Sequence, residues 1–180
     1  LFDVDDTLLD FNASEEAACR HVFDLAASPS MPSASCAAAF LSVHPATWDL
    51  YMSNAIRRDD VVRVTFEKLA AMGYLKTMDP AEAAGIYQNW FVLHSVPEPG
   101  ALQTLVLLRK EYRTGVISNY EYADVQRQRL AGSGLADLLD VVVISGDSGV
   151  EKPDPAIFDK ALHLLGLGHD RCLFVGDSRI

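Results

Sequence analysis

The chain opens with Leu1-Phe2-Asp3-Val4-Asp5-Asp6-Thr7, in which two apolar residues lead into a run of acids. The apolar pair predicts the end of a buried strand. Because side chains alternate along a strand, Asp3 and Asp5 should project to the same side. Two neighbouring carboxylates repel each other unless a cation or a proton lies between them. A divalent metal such as Mg²⁺, which takes one or two carboxylates and keeps waters, suits this pattern; a solvated acidic turn is the alternative.

The composition indicates a folded protein that does not bind nucleic acid. The 180 residues are 49% hydrophobic and 22% charged, which favours one globular domain, or one domain with an insert. The formal net charge is −10 and no run of Lys or Arg occurs, so a basic nucleic-acid-binding patch is not expected. An anionic substrate would need a bound cation and a few well-placed basic residues.

The cysteines and the apolar segments favour a cytoplasmic protein. Cys19, Cys36 and Cys172 form no Cys-x-x-Cys pair and are expected to be reduced thiols. No apolar stretch approaches the roughly 20 residues of a membrane span, so no membrane association is expected. The chain starts without Met and within an apparent strand. We therefore expect it to be truncated at its N-terminus.

The second half of the chain alternates short apolar runs with helical stretches. The runs Thr114–Ile117, Val141–Ile144 and Cys172–Val175 are continuously apolar or nearly so, as in a parallel sheet covered on both faces. A helix after Asp154 carries apolar residues at helical spacing, with Asp154 as its N-cap and Pro155 in its first turn. The fold class predicted is α/β, with a doubly wound parallel sheet.

Residues 12–97 interrupt this alternation. They show four helical stretches and no convincing strand, the first with Asn12 as N-cap and Glu15 completing a capping box. An interruption of this length is typical of an inserted module with a role of its own. We therefore expect a core of residues 1–11 and 98–180 with an inserted helical cap of residues 12–97.

Polar residues follow each predicted core strand. Ser118-Asn119 follows the second strand, Lys152 lies in the loop after the third, and Gly176-Asp177-Ser178 follows the fourth. Ligands of open parallel sheets bind at the carboxyl ends of the strands. These three polar segments are thus expected to form one site with Asp3 and Asp5.

In this order and spacing the segments resemble the four motifs of the haloacid dehalogenase-like hydrolase superfamily, over the whole chain. The resemblance implies a Rossmann-like core and a phosphatase branch with a helical cap. It also implies that Asp3 is a nucleophile forming an aspartyl phosphate, with Asp5 as general acid and base. Ser118, Asn119 through its backbone N–H, and Lys152 would bind phosphate, and Asp3, the Asp5 backbone carbonyl and Asp177 would hold Mg²⁺. A second Gly-Asp-Ser, at residues 146–148, precedes Lys152 and belongs to the third loop.

The resemblance also bears on the reaction. The dehalogenases of the superfamily lack the second Asp of the first motif, since a halide leaves without a proton, so Asp5 disfavours 2-haloacid dehalogenation. The expected substrate is a small phosphorylated metabolite. The segments 57–74 and 126–130 resemble bacterial house-cleaning pyrimidine 5′-nucleotidases, which points to a pyrimidine nucleoside monophosphate. Both segments also fit ordinary amphipathic helices.

Three other functions remain open at this stage. A sugar phosphomutase can share every motif residue and would transfer phosphate to a second hydroxyl. A two-component receiver domain also uses an acceptor Asp, but it has no helical insert and its acceptor lies on a middle strand. A non-catalytic binding module is the third. The superfamily usually carries a further Asp and strand beyond the fourth motif, so truncation at the C-terminus is expected as well.

Overall fold

A computed structural model describes residues 1–26 and 31–178. It divides into two compact units, one of Leu1–Phe11 with Val92–Ile180 and the other of Asn12–Phe91. Below we call them the sheet unit and the helical unit. No helix in the described part of the chain is long and apolar enough to cross a membrane.

The sheet unit is built on parallel pairing, as the sequence predicted. Strand β3 (Gly115–Ser118) pairs in parallel with β4 (Val141–Ile144). On the other side of β3, Phe2 forms parallel bridges to both Val116 and Val175. The order across the sheet is therefore β4, β3, residues 1–3 and residues 173–175. The predicted strand at Cys172–Val175 is represented by the single bridge at Val175, together with backbone hydrogen bonds to residues 1 and 3.

Helices cover both faces of this sheet. Val116 packs in one apolar cluster with Leu105 and Leu130, which lie on α5 (Ala101–Leu108) and α6 (Ala123–Gly132). Its neighbour Ile117 belongs to a second cluster with Ile157. Adjacent strand residues point to opposite faces, so these two clusters are the two sides of a doubly wound sheet. The predicted α/β fold class is confirmed.

The helix of Ile157, α8 (Pro155–Leu165), has the ends that its sequence predicts. The Asp154 side chain accepts a hydrogen bond of 2.9 Å from the Ala156 N–H, and Pro155 occupies the first turn. Gly166 follows the helix with φ of 65°, a left-handed conformation that glycine adopts without strain. This helix fixes the far end of the loop that carries Lys152.

A short antiparallel pair was not predicted. Strand β1 (Leu9–Asp10) pairs with β2 (Val96–Pro97), so the chain leaves and re-enters the sheet unit side by side. Each strand has only two residues, which is too short for an alternation of apolar and polar residues to be recognised in the sequence.

The helical unit is formed mainly by α1 (Phe11–Ala26), α2 (Ser33–Met52), α3 (Val61–Ala71) and α4 (Pro80–Leu93). Its centre is aromatic, since the Phe40 ring lies 5.1 Å from both the Phe66 and the Tyr87 ring centroids. The predicted cap at Asn12 is wrong, because α1 begins at Phe11 and so includes Asn12, and the Phe11 N–H donates to the Asp6 side chain. Glu15 is instead buried in the unit and accepts from the Tyr87 hydroxyl at 3.0 Å.

Candidate active site

Asp3 lies at the end of the central segment of the sheet, in contact with Lys152. The Lys152 ammonium is 2.6 Å from Asp3 Oδ1, and the Val4 N–H donates to the same oxygen at 2.7 Å. The Lys152 side chain is only 7% exposed, and its ammonium lies 5.3 Å from the centroid of the Phe174 ring. Lys152 is therefore a nearly buried cation held against the candidate nucleophile.

Asn119 positions the backbone of Lys152. Its side-chain amide donates to the Lys152 carbonyl at 2.9 Å and accepts from the Lys152 N–H at 2.7 Å. The sequence predicted a phosphate-binding role for Asn119 at the end of β3. That role falls to the Asn119 backbone N–H, and its side chain makes a further contact, one that joins the second and third motif loops.

Asp5 contacts two side chains of helix α6. Arg129 Nη1 is 2.7 Å from Asp5 Oδ1, and the Gln126 amide donates to Asp5 Oδ2 at 3.1 Å. The Asp5 side chain is 28% exposed, whereas Arg129 is fully buried. Asp5 thus presents one edge to solvent and the other to a buried guanidinium.

Ser118 is connected to Asp5 through the same glutamine. The Gln126 amide donates to Ser118 Oγ at 2.9 Å, and Ser118 itself is buried. A hydroxyl oxygen that accepts one hydrogen bond can still donate its own proton. Ser118 is therefore able to donate to a phosphate oxygen, as its predicted role requires.

Asp177 is exposed and belongs to a segment that touches the first motif. Its backbone N–H donates to Thr7 Oγ1 at 3.1 Å, and the Ser178 hydroxyl donates to its carboxylate at 3.1 Å. A Cβ atom on Gly176 would lie 3.3 Å from Asp3 Cβ, so the two segments meet closely where this glycine stands. The fourth motif is thereby placed beside Asp3.

The second Gly-Asp-Ser is engaged elsewhere. It lies in the short helix α7 (Ser145–Ser148), where Asp147 forms an ion pair with Arg127. A Cβ on Gly146 would come within 2.1 Å of the Glu121 carbonyl oxygen, so this position requires glycine. Segment 146–148 thus packs against the loop after β3.

The structure connects the six predicted residues through three sets of contacts. Asp3 and Asn119 both contact Lys152, Asp5 and Ser118 share Gln126, and Asp177 contacts the first motif through Thr7. Residues 126–130 were singled out only for a resemblance, and no role was predicted for Gln126 or Arg129. Their signal in the sequence is one of spacing: Gln126 lies three residues after the buried Ala123 and four before Leu130, and Arg129 lies three after Gln126, where apolar residues are expected.

A group of three acids lies near the β1–β2 pair and was also not predicted. Carboxylate oxygens of Asp6, Asp10 and Glu98 are within 4.8 Å of one another. Asp6 is exposed and the other two are half-buried. Exposed acids cluster in this way without a ligand, so we assign no role to the group.

Comparison with known proteins identifies the family. A model of the haloacid dehalogenase-like hydrolase family matches residues 1–179. The chain belongs to this family, and the resemblance deduced from the four motifs is confirmed.

Two curated relatives are nucleotidases. The chain is 31% identical over 140 residues to pyrimidine 5′-nucleotidase YjjG of Escherichia coli, which covers 77% of this chain and 60% of the relative. It is 27% identical over 186 residues to pyrimidine 5′-nucleotidase PynA of Streptococcus pneumoniae, covering 99% and 74% of the two chains. The chain thus spans less than two thirds of the length of the Escherichia coli relative.

Among solved structures, the HAD-hydrolase YfnB of Bacillus subtilis, bound to magnesium, is similar with a TM-score of 0.72. The two are 26% identical, and the match covers 98% of this chain and 76% of that one. The similarity supports the assignment of both the fold and the family.

Proposed function

We propose that this protein is a Mg²⁺-dependent phosphomonoester hydrolase that acts through an aspartyl phosphate on Asp3. The contact between Lys152 and Asp3, at 2.6 Å, is the observation that carries the proposal. A carboxylate attacks an anionic phosphate only if nearby positive charge reduces their repulsion. The buried ammonium supplies such a charge beside the attacking oxygens.

In the first step an Asp3 carboxylate oxygen forms a bond to phosphorus as the bond from phosphorus to the ester oxygen breaks. Asp5 gives its proton to that departing oxygen, so the product leaves as an alcohol. Ser118 and the Asn119 backbone N–H donate to the phosphoryl oxygens. The exposed edge of Asp5 supports this assignment, since a general acid must reach the substrate.

In the second step a water oxygen forms a bond to phosphorus as the bond from phosphorus to Asp3 breaks. Asp5, now ionised, accepts the proton of this water. Inorganic phosphate is released and both aspartates return to their initial protonation states. The same residue thus acts as acid and then as base.

The residues around Asp3 fit a magnesium ion. Lys152 and the Val4 N–H both contact Oδ1, which leaves Oδ2, on the side of Gly176, as a ligand atom. Asp3, Asp177 and the Asp5 backbone carbonyl offer the hard oxygen donors that Mg²⁺ prefers. When bound, the ion supplies charge neutralisation and Lewis-acid polarisation of a phosphoryl oxygen.

We further propose that the helical unit is a cap that determines specificity for the leaving group. The preferred substrates would then be pyrimidine nucleoside 5′-monophosphates. The curated nucleotidase relatives and the resemblance of segments 57–74 and 126–130 support this choice. A sugar phosphomutase remains the second candidate, because it would use the same residues. A haloacid dehalogenase is disfavoured because Asp5 is present.

The test uses the full-length protein with an aryl phosphate. Activity should require Mg²⁺ and be lost with EDTA, and Asp3→Asn should lower kcat by roughly 10³-fold, about 4 kcal/mol of transition-state stabilisation. Mass spectrometry after acid quenching should find phosphate on the peptide that contains Asp3. Activity that survives EDTA, or an Asp3→Asn variant at the wild-type rate, would contradict the proposal.

A substrate panel tests the finer assignment. Uridine 5′-monophosphate and its thymidine counterpart should exceed hexose phosphates and phosphoglycolate in kcat/KM. If a hexose phosphate leads by about tenfold, near 1.4 kcal/mol, the nucleotidase assignment is wrong while the phosphatase assignment stands. Transfer of phosphate to a second sugar hydroxyl instead of water would identify a phosphomutase.

A further inference from the structure

Gln126 occupies a position in which its amide orientation is fixed by charge. Its carbonyl oxygen accepts from Arg129 Nη1 at 2.7 Å, and its amide nitrogen donates to Asp5 Oδ2 and to Ser118 Oγ. Turning the amide over would place its N–H groups against the guanidinium and its oxygen against the carboxylate. Gln126 is fully buried, so no solvent would compensate for those contacts.

Arg129 is equally constrained. It is fully buried, its Nε donates to Ser95 Oγ at 3.0 Å, and its guanidinium lies 5.7 Å from the ring centroids of both Phe11 and Tyr120. Burying a guanidinium costs several kcal/mol unless an anion and hydrogen bonds compensate. The acid that faces it is Asp5, so the buried guanidinium lies beside the proposed general acid.

The contacts divide the two oxygens of Asp5. Oδ1 is buried and, among the residues that the structure describes, forms an ion pair with Arg129 but no hydrogen bond, which leaves Oδ2 as the oxygen able to exchange a proton with a substrate. Oδ2 accepts from Gln126, whose other N–H holds Ser118 Oγ. One glutamine thus links the oxygen that would move a proton to the hydroxyl that would bind phosphate.

We propose that Gln126 and Arg129 are positioning residues that hold the Asp5 carboxylate and the Ser118 hydroxyl in one hydrogen-bonded unit. This inference rests on the proposed function, because it concerns how the group that transfers the proton in that reaction is positioned. Arg129 fixes the carboxylate through Oδ1, and Gln126 fixes Oδ2 relative to Ser118. Neither side chain needs to touch the substrate.

The experiment compares two kinds of ester in the full-length protein. An alkyl phosphate needs a proton on its leaving oxygen, whereas 2,4-dinitrophenyl phosphate releases a stable anion and does not. Misplacing Asp5 should therefore slow the first step for the alkyl ester alone. It should slow the second step for both esters, because Asp5 must still activate water.

Arg129→Met and Gln126→Met remove the contacts with little change in side-chain volume. Both should lower kcat for the best alkyl phosphate of the panel by roughly 10- to 100-fold, the usual cost of a misplaced catalytic group. The dinitrophenyl ester should show a burst at a rate within about 3-fold of wild type, followed by slow turnover. Arg129→Lys, which keeps the charge but not the planar fork, should recover part of the loss.

Arg127→Met is the matched control. Arg127 lies on the same helix, is 43% exposed and pairs with Asp124 and Asp147. Its replacement should therefore leave unchanged the ratio of kcat for the alkyl phosphate to the burst rate for the dinitrophenyl ester. An equal loss for both esters, without a burst, would mean that Arg129 only supports the fold. Unchanged alkyl phosphate turnover would also overturn the inference. If Arg129→Met does not fold, Gln126→Met decides by the same criteria.

The outcomes separate the inference from the function it rests on. If Asp3→Asn keeps its activity, the phosphatase mechanism itself is wrong. If Asp3→Asn is inactive but the Gln126 and Arg129 variants keep the wild-type ratio of rates, only the positioning role is wrong.

Discussion

The side chain of Asn119 forms two hydrogen bonds with the backbone of Lys152, one to its N–H and one to its carbonyl. The residues are separated by 33 positions in the sequence and belong to different loops of the sheet unit. Asn119 is exposed, so replacing its side chain removes few packing contacts. The contact fixes where the Lys152 side chain starts, and hence where its ammonium meets Asp3.

Asn119→Ala should lower kcat for a phosphate ester by up to roughly 30-fold, which corresponds to about 2 kcal/mol. Two neutral hydrogen bonds contribute about 1 kcal/mol each, and about 1.4 kcal/mol corresponds to tenfold in rate. The effect should depend on Lys152, because the contact acts by positioning that residue. In a Lys152→Met background, Asn119→Ala should therefore cost much less.

Steady-state kinetics of the four proteins in this cycle provide the measurement. Asn119→Asp is the matched control, since it still accepts from the Lys152 N–H but cannot donate to the carbonyl. It should give an intermediate rate. Full additivity of the two substitutions would show that Asn119 acts independently of Lys152.

Two glycines should respond in opposite directions to replacement by alanine. Gly146→Ala should lower the free energy of unfolding by about 1–3 kcal/mol, because the new methyl would overlap the Glu121 carbonyl at 2.1 Å. Gly85→Ala should raise it by roughly 1 kcal/mol, because no atom lies within 4 Å of the new methyl and the residue is inside α4. Urea unfolding of both variants measures the difference; a neutral Gly146→Ala would show that the loop yields easily.

The stability of the protein should decrease above pH 9.0 in a way that depends on Cys19. Burial, reinforced by the nearby Glu15 carboxylate, raises the pKa of the Cys19 thiol well above its ordinary value of 9.0. Above that pH the unfolded chain releases a thiol proton that the folded protein retains. The contribution is thus fully present below 9.0 and is lost as pH rises, by about 1.4 kcal/mol per pH unit.

Cys19→Ala should remove this part of the slope while the other titrating groups are unchanged. Unfolding free energies of both proteins, measured over the alkaline range, give the comparison. Parallel slopes for the wild type and the variant would mean that the Cys19 thiol ionises in the folded protein.

The features predicted correctly from sequence are those governed by local chemistry. Asp154 and Pro155 start α8 because a cap and a fixed φ act within one turn. The runs at Val116 and Val143 become buried strands because continuous apolar segments need cover on both faces. The order of polar residues at the strand ends also predicts a shared site, and the roles of those residues stay a prediction.

The features that could not be predicted from the sequence depend on contacts between residues that are far apart in the chain. Glu15 was predicted to complete a capping box, but it is buried beside Tyr87, which is 72 positions away in the sequence. No role was predicted for Arg129, because its partner Asp5 is far away in the chain and close only in the folded sheet unit. Neither pairing leaves a periodic signal.

The β1–β2 pair has a consequence for how such a protein can vary. Because Leu9–Asp10 and Val96–Pro97 are hydrogen-bonded neighbours, a tight turn from Asp10 to Val96 would close the same hairpin. The residues between Asp10 and Val96 are therefore an insertion between two paired residues of one β-ladder. The sheet unit can therefore accommodate loss, growth or replacement of the helices without any change in its own register, so the proposed phosphate chemistry and a substrate preference set by the helical unit would be free to evolve separately.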